Sequence, residues 1–460
     1  MSAAAEARLT QLFLASTAYG TATLAAAIDS GACDPPAPSP VRRILLTSDN
    51  SPIPEVSPGL AATPGFAELR ARFDGVIDWN ETIAPFHPGV WTPRPEDAPL
   101  WERQLRALWG LGDDRIELYV ESVQVAPAQA LCRLFPGAAV EVYADGLMSY
   151  GPTRFRLDPA LGSRVRRVLH LDLVPGLAPL LLTEFGVPAR AVPTEAFLKV
   201  LAELTAPDPD PGAAPDADAD ADSEPEPPAL LLGQYLSALD LLTAAEEEEL
   251  HAAMVRGAHA RGHRRLLFKP HPGAPADYSR RAREEAARLG VTLRVLPATL
   301  LAETLYASVR PALVVGCFST ALLTAATLYG LPVARTGTER VLARLTPYQN
   351  SNRIPLVLVD ALVPDLTDPA APVPDLAALL TAVGFTMQPK VLARRRAEAE
   401  AYLAAHLTPR TRPYFTRRRL TALALPGGAV PPRLTPLTTN RTLRRLRRAA
   451  LRMRRHLVRQ

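Results

Sequence analysis

Along the first half of the chain, short uninterrupted apolar runs alternate with segments whose apolar positions recur every three or four residues. The runs Leu12-Phe13-Leu14-Ala15, Arg43-Ile44-Leu45-Leu46-Thr47, Gly75-Val76-Ile77-Asp78, Ile116 to Val120 and Ala139-Val140-Glu141-Val142-Tyr143 predict strands. A strand with one wet face would alternate polar with apolar residues, so runs this continuous point to burial on both faces. Between them, residues 21–29, 101–111 and 126–135 carry helical spacing; in the second of these, Trp101, Leu105, Leu108 and Trp109 share one face. Strands alternating with helices build a parallel sheet. The pattern continues through helices and short strands to about Leu204.

From Ala206 to Pro228 the composition changes to Pro, Ala, Asp and Glu, with no aromatic or large aliphatic side chain. Such a run buries too little surface to offset the entropy of ordering it, so a disordered, self-repelling linker is expected there. The alternation then restarts. Strands are predicted at residues 229–235, 266–268, 291–296, 312–316 and 331–334. Helices are predicted at 243–256, with Thr243 as N-cap, and at 278–289, 300–308 and 321–329. The fold class expected is α/β: two Rossmann-like, doubly wound domains, residues 1–205 and 229–425, facing each other across a ligand-binding cleft, with the acidic linker at 206–228 between them.

With 460 residues the chain exceeds what a single core serves, and 48% apolar residues suffice to fill two. Cys33, Cys132 and Cys317 are odd in number and scattered, which argues against disulfides or a zinc site. No run of about 18 apolar residues is free of charge, and residues 1–8 lack a signal-peptide pattern, so a cytoplasmic protein is expected. The net charge of +4 conceals an asymmetry: Arg441 to Gln460 hold nine arginines and no acid, leaving the rest at −5. Within the tail, 426–460, Leu443, Leu446, Ala450, Met453 and Leu457 recur at helical spacing among those arginines. That is a basic amphipathic helix, suited to an anionic membrane surface and a peripheral position on the inner face.

Three short stretches carry candidate chemistry. Leu266-Leu267-Phe268-Lys269-Pro270-His271-Pro272-Gly273 is a strand stopped by two prolines and a glycine, which fixes the His271 imidazole just past the strand's C-terminal end, where open parallel sheets bind ligands. Val142-Tyr143-Ala144-Asp145-Gly146 puts the Asp145 carboxylate at the equivalent place in the first domain. A carboxylate and an imidazole across a cleft can act as base and acid. Gly316-Cys317-Phe318-Ser319-Thr320 leads a buried strand into a helix whose N–H groups and hydroxyls suit a phosphate, although Ser319 and Thr320 also read as plain N-caps. There is no Walker glycine-lysine pattern, no Gly-x-Gly-x-x-Gly after the first strand, and no Asp-x-Asp in a folded segment, so metal-independent chemistry is expected.

In this order the three motifs, Ala144-Asp145-Gly146, His271-Pro272 and Ser319-Thr320, resemble those of the bacterial sialyltransferases, above all the bacterial alpha-2,8-polysialyltransferase family. The likeness covers most of residues 10 to 340 and implies a GT-B fold and a metal-independent, inverting transfer of a nonulosonic sugar from CMP to a glycan or glycolipid acceptor. By that resemblance Asp145 is the base on the acceptor hydroxyl, His271 the acid assisting departure of CMP, and Ser319 with Thr320, next to Gly316, the phosphate binders. Read on their own sequence, Lys269 either adds positive charge there or is a solvated lysine, Glu303 is either a candidate for the ribose hydroxyls or a helix-surface acid, and Ser16 and Thr17 on the first loop face the same cleft on the acceptor side. The family's first acidic position is Ala144 here. Two other readings remain open: a GT-B transferase using CDP-glycerol or a UDP-sugar, and a silent GT-B protein that binds a glycan or partner. No specific nucleic-acid partner is expected.

Overall fold

The computed structural model describes residues 8–36, 39–204, 227–368 and 373–429. The linker expectation up to residue 226 and the basic-tail expectation from residue 430 lie outside the described residues. The first sheet contains β1 (Leu9–Ala15), β2 (Val41–Thr47), β3 (Gly75–Asp78), β4 (Arg115–Val120), β5 (Ala139–Ala144), β6 (Val165–Leu171) and β7 (Ala189–Val192). They lie in the order β3-β2-β1-β4-β5-β6-β7, all parallel. The second sheet contains β8 (Ala229–Leu232), β9 (Arg265–Lys269), β10 (Thr292–Val295), β11 (Leu313–Gly316) and β12 (Val333–Arg335), in the parallel order β10-β9-β8-β11-β12. Both sheets are therefore wound outward in two directions from their first strand. The cleft opens where the direction reverses, between β1 and β4 in one sheet and β8 and β11 in the other.

Burial on both faces is what makes the strands so apolar. In β1, Leu12 and Leu14 join one core while Phe13 and Ala15 join the other. Val120 and Val142 point to the first of these, Tyr119 and Tyr143 to the second. The helices begin where caps allow. Thr17 accepts the N–H of Gly20 and starts Ala18–Asp29 three residues earlier than hydrophobic spacing alone indicates. Thr243 and Glu246 form a reciprocal capping box on Ala244–Ala260. The strand expected at 229–235 ends at Leu232. Gln234 then turns out of the sheet, and its side-chain carbonyl accepts the N–H of Phe318 at 2.8 Å.

The domains meet on both sides of the cleft. Tyr19 shares a hydrogen bond with Thr324 at 3.2 Å, and Thr327 donates to the Leu173 carbonyl at 2.9 Å. The C-terminal helices cross back to the first domain: Gly384, in Leu376–Met387, lies against Leu180 and Pro152, and the Gln388 amide donates to the Arg154 carbonyl. Among the described residues no helix is long and apolar enough to cross a membrane, and the three cysteines are free and buried.

Candidate active site

The loops at the C-terminal ends of β4, β5, β8, β9 and β11 converge on one cavity of about 430 Å³. Asp145 and Glu121 enter it from the first domain; His271, Ser319 and Thr320 enter from the second. A smaller adjoining cavity of about 220 Å³ shares His271, Ser319 and Thr320 and adds Lys269, Glu303 and Tyr19. The fold thus brings both halves of the candidate acid–base pair, and the helix N-terminus, to a single space.

Asp145 follows the last residue of β5 and lies over the first turn of the helix Ala18–Asp29. A Cβ built on Gly20 would lie 3.1 Å from Asp145 Oδ2 and 3.1 Å from Thr17 Oγ1, so only glycine leaves the carboxylate this seat. Burial between the domains pushes the Asp145 carboxyl up to about 8, and the nearby charges of Glu121 and, more weakly, Glu303 push the same way. Glu121 is itself raised by burial, opposed by a hydrogen bond from Ser16 Oγ at 3.1 Å and by the charge of Arg154.

His271 keeps an open surface toward the cleft, yet the walls withdraw enough water to lower its pKa, and the charge of Lys269 lowers it further. The N–H of Gly273 donates to His271 Nδ1 at 3.1 Å. In the neutral ring the proton therefore sits on Nε2, which is the donor free to meet a ligand. The rigid Pro270-His271-Pro272 segment makes this geometry local and reproducible.

The other expected residues fall into three groups. Ser319 is the N-cap of Thr320–Tyr329, accepting the N–H of Ala321 at 3.2 Å, and still lines both cavities; the N-cap and ligand readings hold together. The Thr320 hydroxyl accepts a 3.5 Å hydrogen bond from Leu147 N, linking the helix to the loop that carries Asp145. Lys269 and Glu303, read as a solvated lysine and a helix-surface acid on their own sequence, are both buried. Lys269 Nζ donates to the carbonyls of Pro270 at 2.7 Å and Ala298 at 2.9 Å, and burial lowers it to about 8 against the pull of Glu303. Burial raises Glu303 to about 7.

Gly316, Thr17 and Ser16 do not line either cavity. Gly316 ends β11 in the core, where a Cβ would meet Leu322 at 3.3 Å. Thr17 caps a helix, and Ser16 reaches the site only through Glu121. Sequence reasoning missed Glu121, Gln234 and Arg154. Glu121 carried a usable signal, an acid one residue past an apolar strand, but no glycine or proline follows to mark it. Among the described residues no group of three or more His, Cys, Asp or Glu side chains is arranged to hold a metal ion.

Comparison with known proteins gives three findings. The model of the alpha-2,8-polysialyltransferase (POLYST) family matches residues 11–338. No curated protein sequence matches the chain. Solved structures similar to it include a 2,6-sialyltransferase from Photobacterium sp. in complex with CMP and lactose, at 13% identity over 76% of this chain and 75% of that one, TM-score 0.41. An O-GlcNAc transferase mutant from Thermobaculum terrenum matches at 15% identity over 90% and 67%, TM-score 0.33. MurG from Acinetobacter baumannii matches at 12% over 86% and 95%, TM-score 0.37. The family match spans all three cavity motifs, from the strand before Ser16 to the helix after Gly337, and on that ground the chain belongs to the alpha-2,8-polysialyltransferase family and is a glycosyltransferase.

Proposed function

We propose that the chain transfers sialic acid or a related nonulosonic sugar from a CMP-linked donor to a hydroxyl of a glycan acceptor, inverting the anomeric centre without a metal. The observation that carries the reading is the convergence of Asp145 and His271, from opposite domains, on one cavity floored by the N-terminus of Thr320–Tyr329. The acceptor O–H proton passes to the Asp145 carboxylate while the hydroxyl oxygen bonds to the anomeric carbon. The bond from that carbon to the phosphate oxygen breaks, and its electron pair stays on CMP. His271 Nε2–H and the helix N–H groups meet the charge developing on that oxygen. A single displacement of this kind inverts the centre.

A monophosphate leaving group suits the charges available. Lys269 has committed its ammonium to two backbone carbonyls, so the phosphate side is served chiefly by His271 and the helix N-terminus. In this reading Glu303, which lines the adjoining cavity, receives the ribose hydroxyls. An acceptor of surface polysaccharide type fits the same reading.

The test is transfer from CMP-sialic acid to sialylated oligosaccharides, with and without EDTA, in wild type, Asp145→Asn and His271→Ala. Turnover that survives EDTA and falls ~10²-fold or more in each variant is expected. Equal turnover in wild type and variants, or preferential use of CDP-glycerol or a UDP-sugar, would overturn the assignment.

A further inference from the structure

The family's acidic pair is incomplete in this sequence, because Ala144 stands where its first acid belongs, and the structure brings a different carboxyl to Asp145's side. Strands β4 and β5 are neighbours with Val120 opposite Val142. Glu121 is the first residue beyond β4, and Asp145 the first beyond β5. Side chains alternate faces along a strand, and Tyr119 and Tyr143 share one core while Val120 and Val142 share the other. Glu121 and Asp145 continue the tyrosines' parity. Ala144 continues the valines' parity and packs against their core. The acid on the same face as Asp145 is therefore the one on the neighbouring strand.

Both side chains line the same cavity. Glu121 has Ser16 Oγ as its hydrogen-bond donor, and Arg154, also in the cavity wall, is the cation acting on it. Tyr143 lies beside the pair, its own hydroxyl donating to the Leu14 carbonyl at 2.9 Å, and Tyr19 and Glu303 face it from the helix Ala18–Asp29 and from the second domain. None of these neighbours supplies Asp145 with a cation of its own.

We propose that Glu121 is the positioning residue for the catalytic base, a second carboxyl delivered from the adjacent strand in place of the acid absent at residue 144. Its negative charge makes Asp145 a stronger base for the acceptor hydroxyl, and the Ser16 hydroxyl holds its carboxylate in the cavity wall. Each carboxylate opposes the other's ionisation, so the pair titrates as a unit. The shift of Asp145 to about 8 agrees with that arrangement. This inference rests on Asp145 acting as base in the proposed transfer.

The experiment compares wild type with Glu121→Gln, which keeps an acceptor for Ser16, and with Glu121→Ala. The acidic limb of the kcat/KM profile, expected near pH 8 in wild type from the Asp145 value, should move at least about one unit toward lower pH in Glu121→Gln, because losing a like charge favours ionised Asp145. Thermal unfolding between pH 4 and 9 reads the pair without any substrate. A carboxyl raised in the folded state contributes its full stability below its unfolded pKa and loses it as pH rises toward 8. Glu121→Gln should flatten that fall. An unmoved limb together with an unchanged thermal slope overturns the proposal. A flattened thermal slope in a protein that transfers no sugar from any CMP donor would leave the carboxyl pair standing and overturn the functional reading instead.

Discussion

Replacing Gly20 with alanine tests the seat of the proposed base most directly, because the substitution adds one carbon and nothing else. Gly20 has no positive φ, so alanine can adopt its backbone, and a glycine inside a helix costs roughly 0.5–1 kcal/mol relative to alanine, an upper bound for this first-turn position. On propensity alone Gly20→Ala should stabilise the protein. The added Cβ, however, falls 3.1 Å from Asp145 Oδ2, 3.1 Å from Thr17 Oγ1 and 3.3 Å from Tyr143 Cε2. Tyr143 is buried and tied to the Leu14 carbonyl, and Thr17 is held by the cap it makes. Asp145 has the freedom to retreat, by a few tenths of an ångström. Since about 1 Å of misplacement costs ~10²-fold in rate, that retreat should lower kcat/KM by roughly 10-fold, equivalent to ~1.4 kcal/mol, with Tm within a few degrees of wild type. Steady-state transfer kinetics beside calorimetric unfolding decide it. Full activity with the whole stability gain would show that Asp145 does not depend on this seat.

Two further outcomes follow from charges on the second domain. Lys269→Met removes the cation that, after burial, holds His271 below its ordinary value, so the His271 ring proton resonances should titrate at higher pH than in wild type; a titration unchanged or shifted downward would show that burial alone sets the imidazole. Away from the site, buried Asp360 meets Arg335 at 2.9 Å, Arg410, and the Tyr414 hydroxyl at 2.6 Å, so Asp360→Ala leaves one fully buried and one partly buried guanidinium short of charge. Destabilisation of about 3–5 kcal/mol is expected in denaturant unfolding, and a loss under about 1 kcal/mol would mean that water replaces the carboxylate.

The sequence showed most plainly what burial on both faces dictates. β1, β2, β4, β5, β8, β9 and β11 are near-continuous apolar runs because both faces of each sheet are covered, and Asp145 and His271 stand out because a glycine or prolines stop the strand just beside them. β6 was hidden by Arg166 and Arg167, which break its apolar run. In the fold Arg166 meets Glu117 of β4 at 3.0 Å and Arg167 meets Glu141 of β5 at 2.5 Å, so strands far apart in sequence satisfy the polar positions and no local pattern betrays them. Glu121 was hidden for the same reason. Its place in the cavity wall with Asp145 comes from the register that sets Val120 beside Val142, a lateral relation between chain segments more than twenty residues apart. Reading outward from a motif finds residues that punctuate a strand, whereas a side chain recruited from the neighbouring strand becomes visible only once pairing and parity are known. The gap at Ala144 is the case in point. From the motif alone it suggested a missing acid and a silent protein. In the folded sheet Ala144 packs against the valines' core and borders the cavity, and the second carboxyl in that cavity wall beside Asp145 belongs to Glu121. A missing residue in a short motif is therefore weak grounds for inferring lost chemistry in a parallel sheet, whose strand ends lie side by side and can supply the same group from either neighbour.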